Sequence, residues 1–225
     1  MKRTTTLLCA TALVMISGYH LKAQEKETIK KNGLTLHFTS QDPTFDPALK
    51  NKMIETFFKV YPQLSKEYNK KTDKEVYFEI DTAYDGVAAT GGGKVTYSSA
   101  YFKQFPGDVD VVTHEVMHIV QNYGDSKGPG WLTEGIADYV RYKFGVDNAG
   151  AGWTLPEFKS THSYKNSYRI TARFLAWLEN HDNKGIVKKL DSSLRDHTYT
   201  NEIWQKETGK SLDDLWKAYS ENPAL

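Results

Sequence analysis

His114-Glu115-Val116-Met117-His118, followed at a short distance by Trp131-Leu132-Thr133-Glu134-Gly135-Ile136-Ala137-Asp138-Tyr139, is the pair of stretches around which this chain organises itself. On an α-helix, residues four apart share a face, so His114 and His118 can present both imidazoles to one divalent ion. Glu115 stands beside the first imidazole, within reach of a water on that ion but not itself a ligand. Glu134 follows His118 by 16 positions, room for a helix end, a Gly/Pro loop over 124–130 and a new helix carrying a third donor. Asp138 comes one turn later, where it can accept the free N–H of a ligand histidine and fix its tautomer. Gly135 and Ala137 are small enough to let the two helices approach closely.

Three protein donors with a fourth position open is the ligand count of catalytic zinc, so one Zn2+ per chain is the expected cofactor on His114, His118 and Glu134. Other zinc arrangements fail on the residues. An extended three-histidine motif needs Gly at 121 and His at 124, where this chain has Gln121 and Gly124. A thiolate-ligated site is excluded because the one cysteine, Cys9, lies near the N-terminus. The apolar stripe of the first helix runs through Val109, Val112, Val116, Ile119 and Val120. His114 sits roughly 200° round from Val112 at 100° per residue, so the imidazoles face away from that stripe.

Residues 1–23 read as a secretory signal peptide: Lys2 and Arg3, then a short apolar core over Leu7–Ile16, then Leu21-Lys22-Ala23 before Gln24. That core is too short to span a bilayer, so no stable membrane insertion is expected and the protein reads as secreted or periplasmic. Residues 24–225 then form a single domain. Without Lys2, Arg3 and Lys22 the formal charge falls from +1 to −2, which gives no electrostatic argument for a nucleic-acid partner. Residues 24–225 lack cysteine, so no disulfide holds an exported chain of this kind. The sequence does not reveal the oligomeric state.

Around the motif, 24–32 reads as a polar, lysine-rich tether and 33–40 as a strand alternating through Leu34, Leu36 and Phe38. A helix is predicted over 46–69, with Asp46 as N-cap and Pro47 in the first turn. A second strand covers 76–80, and 84–99 is a loop leading into a third strand. Gly91-Gly92-Gly93 marks a turn rather than a phosphate loop, since the Lys-Ser/Thr ending is missing. Lys94–Ser99 is read as an edge strand to which an extended peptide adds, with Val95 and Tyr97 as substrate-binding residues. The metal helix is placed at 107–123 and the Glu134 helix runs to about 144. Residues 146–165 form a floor or lid, and helices follow at 168–180, 184–194, 200–208 and 211–219. Strands early and helices late give an α+β class. His37, His181 and His197 read as ordinary surface or strand residues. Trp131, Trp177, Trp204 and Trp216 read as core.

Beyond HExxH, the runs Glu134–Arg141, Thr171-Ala172-Arg173-Phe174-Leu175 and Leu212-Asp213-Asp214-Leu215-Trp216 make the chain resemble the plant basic secretory protein family and its bacterial relatives. The resemblance implies a zincin-like metallopeptidase domain, an N-terminal mixed sheet with an active-site helix and a helical C-terminal part. It further implies an exported peptidase acting on a peptide or protein substrate. In that reading Glu115 is the general base, and Tyr168 is the expected oxyanion donor, ahead of Tyr164 and His162. Two other functions share the residues: an exported binding or defence-type protein with a structural zinc, and a metal hydrolase of non-peptide amides. An intact Glu115 argues against the first.

Overall fold

The computed structural model describes residues 25–181 and 183–225. The expected leader at 1–23 lies outside the described residues. Five strands form one mixed sheet in the order β1-β2-β3-β5-β4. They are β1 (Glu25–Lys31), β2 (Leu34–Ser40), β3 (Glu75–Asp81), β4 (Ala88–Gly91) and β5 (Lys94–Ser98). β2, β3 and β5 run parallel, and antiparallel strands close both sides, β1 on β2 and β4 on β5.

α1 (Pro47–Glu67) starts where its signals place it, with the Asp46 carboxylate accepting the Ala48 N–H at 2.8 Å. Its buried Met53, Phe57, Val60, Tyr61 and Leu64 pack on the apolar face of the sheet. Phe57 meets Phe78 of β3 edge-to-face at 5.5 Å, and Phe78 meets Tyr97 of β5 at 5.1 Å. The opposite sheet face carries polar groups such as His37 and Glu75, hydrogen-bonded to each other at 2.6 Å.

The short α2 (Ser99–Gln104) leads to α3 (Val111–Gln121) and, after a loop, to α4 (Gly130–Phe144). A 3-10 turn (Tyr164–Asn166) precedes α5 (Tyr168–Asn180), α6 (Ile186–Arg195), α7 (Glu202–Thr208) and α8 (Leu212–Glu221). Gly135 lets α4 lie against α5, since a Cβ there would fall 2.2 Å from Thr171 Cγ2. Trp204 is fully buried and Trp177 nearly so, while Trp131 and Trp216 pack against the core.

Three expectations need correcting. Residues 25–31 are not a tether but strand β1; its lysines suit an outermost strand, where charge discourages pairing with another chain. Lys94–Ser98 is not an edge strand, because β5 lies between β3 and β4. Val95 and Tyr97 are fully buried in the core and offer nothing to a substrate. Finally, α3 starts at Val111 and is buried nearly all round rather than on one stripe: α1 and the sheet cover one side and α4 the other.

Candidate metal centre

α3 and α4 bring three donors together. His114 Nε2 and His118 Nε2 lie 3.1 Å apart, and Glu134 Oε2 is 3.3 Å from the first and 3.5 Å from the second. This is the one cluster of three potential ligands among the described residues. Arms of 2.0–2.1 Å to a tetrahedral ion put neighbouring donors about 3.3–3.4 Å apart, so the triangle fits a zinc-sized ion without rearrangement.

The outer nitrogens settle which lone pairs point inward. His114 Nδ1 donates to Asp138 Oδ1 at 2.7 Å, as the spacing suggests. His118 Nδ1 donates to Gln121 Oε1 at 2.6 Å, since that oxygen can only accept. With both rings neutral, each Nε2 lone pair faces a carboxylate oxygen, a set of three acceptors that calls for a cation or, without one, a proton. Burial pulls the His114 imidazole down, yet the bonds to Asp138 and Glu134 and the charges of Asp138 and Glu115 outweigh it and push it up to about 10. Burial raises Glu134, but the two imidazoles outweigh it and hold the carboxyl well below the usual carboxylate range.

Gln121 and Thr90 are the residues that the sequence reading missed. Gln121 Nε2 donates to the carbonyl of Thr133 at 2.9 Å, so one buried amide links His118 to the residue preceding Glu134. Its position three after His118 on one helix was the available signal. Thr90, on the outer strand β4, donates its hydroxyl to Glu115 Oε2 at 2.7 Å. No local pattern connects those two.

These residues share a cleft of 1280 Å³, larger than the 300–1,000 Å³ typical of small-molecule sites. Ala88, Ala89 and Thr90 of β4 form one wall, and Gly150, Gly152 and Trp153 bring the loop after α4, expected as a floor or lid, to another. Tyr168 also lines it, 55 % exposed, its ring nearly parallel to that of His114 with centroids 6.2 Å apart. The Glu134 charge and then burial push its hydroxyl up, so it stays a donor at neutral pH. Ser167 (φ 64°, ψ −178°) and Tyr168 (φ 49°) hold left-handed backbone conformations just before α5. Non-glycine residues keep such conformations only where the surroundings enforce them, often at functional sites. Tyr164 instead donates to Asp213 at 2.8 Å, and neither it nor His162 lines the cleft. His37, His181 and His197 lie elsewhere.

The family described as peptidase of plants and bacteria matches residues 23–219. Among solved structures, the fold is similar to that of aminopeptidase A from Legionella pneumophila in complex with aspartic acid. That likeness has a TM-score of 0.58 and 13 % identity over 87 % of this chain and 27 % of the other. It is also similar to an M1 zinc metallopeptidase mutant from Deinococcus radiodurans bound to a Tyr-Ser-Ala substrate, with a TM-score of 0.51 and 15 % identity. There the match covers 90 % of this chain and 52 % of the other. The present chain thus spans about half, or less, of the solved proteins it matches, and at these identities the likeness is one of fold. No curated protein sequence is significantly similar to it.

Proposed function

Because this chain belongs to the peptidases of plants and bacteria, we propose that it is an exported zinc-dependent metallopeptidase. In this reading His114, His118 and Glu134 hold one zinc ion and Glu115 is the general base. The observation that carries the reading is the triangle of donor atoms 3.1–3.5 Å on a side, with Glu115 lining the same cleft.

Zinc bound there would lower the pKa of a water and polarise the scissile carbonyl. The remaining steps fall to the chain's own groups. Glu115 takes the water's proton as attack occurs and delivers it to the leaving amine, which splits one difficult transfer into two short ones. Thr90 holds one oxygen of that carboxylate, while the other takes no hydrogen bond from a described residue. Asp138 and Gln121 keep both imidazoles in the tautomer that presents Nε2. Tyr168, protonated and exposed beside His114, donates to the developing oxyanion without adding a charge. The strand offered to an extended substrate is β4: it pairs with β5 alone, and Ala88, Ala89 and Thr90 line the cleft. No helix among the described residues is long and apolar enough to cross a membrane.

The test compares zinc-loaded protein with its Glu115→Ala variant on a diverse peptide mixture, read by mass spectrometry. Cleavage by the parent alone supports the proposal. One zinc bound by each with no cleavage by either would refute it in favour of a binding role. N-terminal sequencing of protein recovered from the periplasm or medium tests the export reading, for which Gln24 is the expected first residue.

A further inference from the structure

The cleft extends beyond the metal ligands in one direction, and its residues there have a common character. Val111 lies three residues before His114 on α3, and Arg141 three after Asp138 on α4, so both helices carry this end about one turn, ~5 Å, past His114 and its partner Asp138. Tyr101 and Phe105 stand there with ring centroids 5.0 Å apart, and both line the cleft. The Tyr101 hydroxyl donates to Asp108 Oδ2 at 2.5 Å. Asp108 also holds the Arg141 guanidinium, which donates to Asn148 Oδ1 at 3.1 Å and lies 4.5 Å from the centre of the Trp153 ring.

This network commits Arg141 and Asp108 to each other, while Arg169, exposed on the same cleft, donates to the Thr154 carbonyl at 3.5 Å. Arg141 is 4 % exposed, its guanidinium committed to Asp108, Asn148 and Trp153, so it is not a free clamp for a substrate carboxylate. Beside Arg169, what is on offer is aromatic surface. Phe105 leaves 46 % of its surface exposed. Of the six large hydrophobic side chains left exposed among the described residues, three (Val87, Phe105 and Tyr168) line this one cleft. Exposed apolar surface gathered in a concave site marks a ligand-binding groove.

We propose that this end of the cleft, walled by Tyr101, Phe105 and Trp153, is a side-chain subsite for a large apolar or aromatic residue next to the scissile bond. The proposal rests on the peptidase reading and names its substrate class: peptides with such a residue beside the cleaved bond, in preference to a small one. A methyl group would leave the Phe105 ring wet.

The test uses the zinc-loaded full chain and a series of small hydroxamates differing in one substituent: benzyl, methyl or carboxymethyl. Affinities come from calorimetry, which needs no turnover, alongside cleavage of a peptide library. Burying a benzyl group predicts about 10- to 100-fold tighter binding than methyl. In Phe105→Ala, an exposed position that spares the fold, the gap should shrink to a few-fold, and Phe105→Lys should turn preference toward carboxymethyl. Equal benzyl and methyl affinities, no binding of any member, or a benzyl preference untouched in both variants would each overturn the subsite. Benzyl-selective binding without peptide cleavage would refute the peptidase while leaving the subsite standing. Cleavage without apolar preference would do the reverse.

Discussion

Replacing Gln121 by leucine should weaken zinc binding by about 10- to 100-fold while leaving the fold intact. The side chain is buried, 1 % exposed, and makes two bonds: Oε1 accepts from His118 Nδ1 at 2.6 Å and Nε2 donates to Thr133 O at 2.9 Å. Leucine nearly conserves volume and removes both. Thr133 O keeps its bond within α4, so most of the penalty falls on His118, whose Nδ1–H loses the partner that fixes ring orientation and tautomer. Loss of such an outer partner typically weakens metal binding 10- to 100-fold, or about 1.4–2.8 kcal/mol. The apo protein should lose only about 1–2 kcal/mol for the buried N–H left unpaired. Competition for zinc against a chromophoric chelator measures the first quantity, and denaturant unfolding of the apo protein the second. Gln121→Glu is the control: it keeps an acceptor for His118 but sets a carboxylate against the Thr133 carbonyl, so affinity should persist while apo stability falls. A leucine variant binding zinc within about threefold of the parent would show that His118 is oriented by something other than Gln121.

Thr90→Val should lower kcat by about tenfold, less than the ~10²–10⁴-fold that proton transfer itself contributes because Glu115 stays in place, with KM and zinc affinity unchanged. Thr90→Ser should recover most of the loss, and a serine variant as slow as valine would refute a role for the hydroxyl on Glu115. Gly135→Ala puts a Cβ 2.2 Å from Thr171 Cγ2; Thr171 is fully buried and hydrogen-bonded to Tyr164 O at 2.6 Å, so it cannot swing aside. Overpacking of this kind costs about 1–3 kcal/mol, readable by urea unfolding. Asp42 bonds to Lys103, Ser99 and Thr44, which hold its carboxyl well below the usual range. A folded pKa below the unfolded one, near 3.9, stabilises fully above that value and is lost as pH falls toward the folded one. Asp42→Asn should therefore unfold at lower urea than the parent at pH 7, with the gap closing toward pH 3.

Elements with strong local signals were legible in the sequence. Asp46 and Pro47 fix the start of α1, and the periodicity of Met53, Phe57, Val60 and Leu64 fixes its buried face. The α+β class and the C-terminal helices follow from similar patterns. Strand order leaves no such trace: that β4 rather than β5 is outermost depends on which strand β3 pairs with, and β3 pairs with β5. Hence Val95 and Tyr97, alternating as a half-exposed strand should, are core residues. β1 was hidden for the opposite reason. Its lysines suppress the apolar alternation by which strands are recognised, and they do so because it is an outermost strand.

The same division runs through the candidate metal site. His114, His118, Glu134 and Asp138 are spaced by helix geometry across one loop, so spacing alone could assemble them. Their rigidity comes from further away. At the start of α3, buried Asp110 accepts from Thr113 Oγ1 and from the backbone N–H of Val146 and Asp147, fastening the helix to the loop after α4. At its end, the last carbonyls are taken up by Asn69 at 2.9 Å, Thr72 at 3.3 Å and Arg195 at 3.2–3.3 Å, side chains from the segment after α1 and from the end of α6. With both ends tied and nearly every residue buried, α3 is held by the core and not by whatever ion its imidazoles bind. Under the proposed reading, a site held this way would spend little of an ion's binding free energy on folding the chain. It also explains the unlike outer partners of the two histidines. Asp138, on α4, gives His114 a carboxylate across the helix pair, whereas His118 near the end of α3 is served by an amide that must also hold α4 in place. A carboxylate at 121 could accept from His118 but could not donate to Thr133, which is the physical reason for glutamine there.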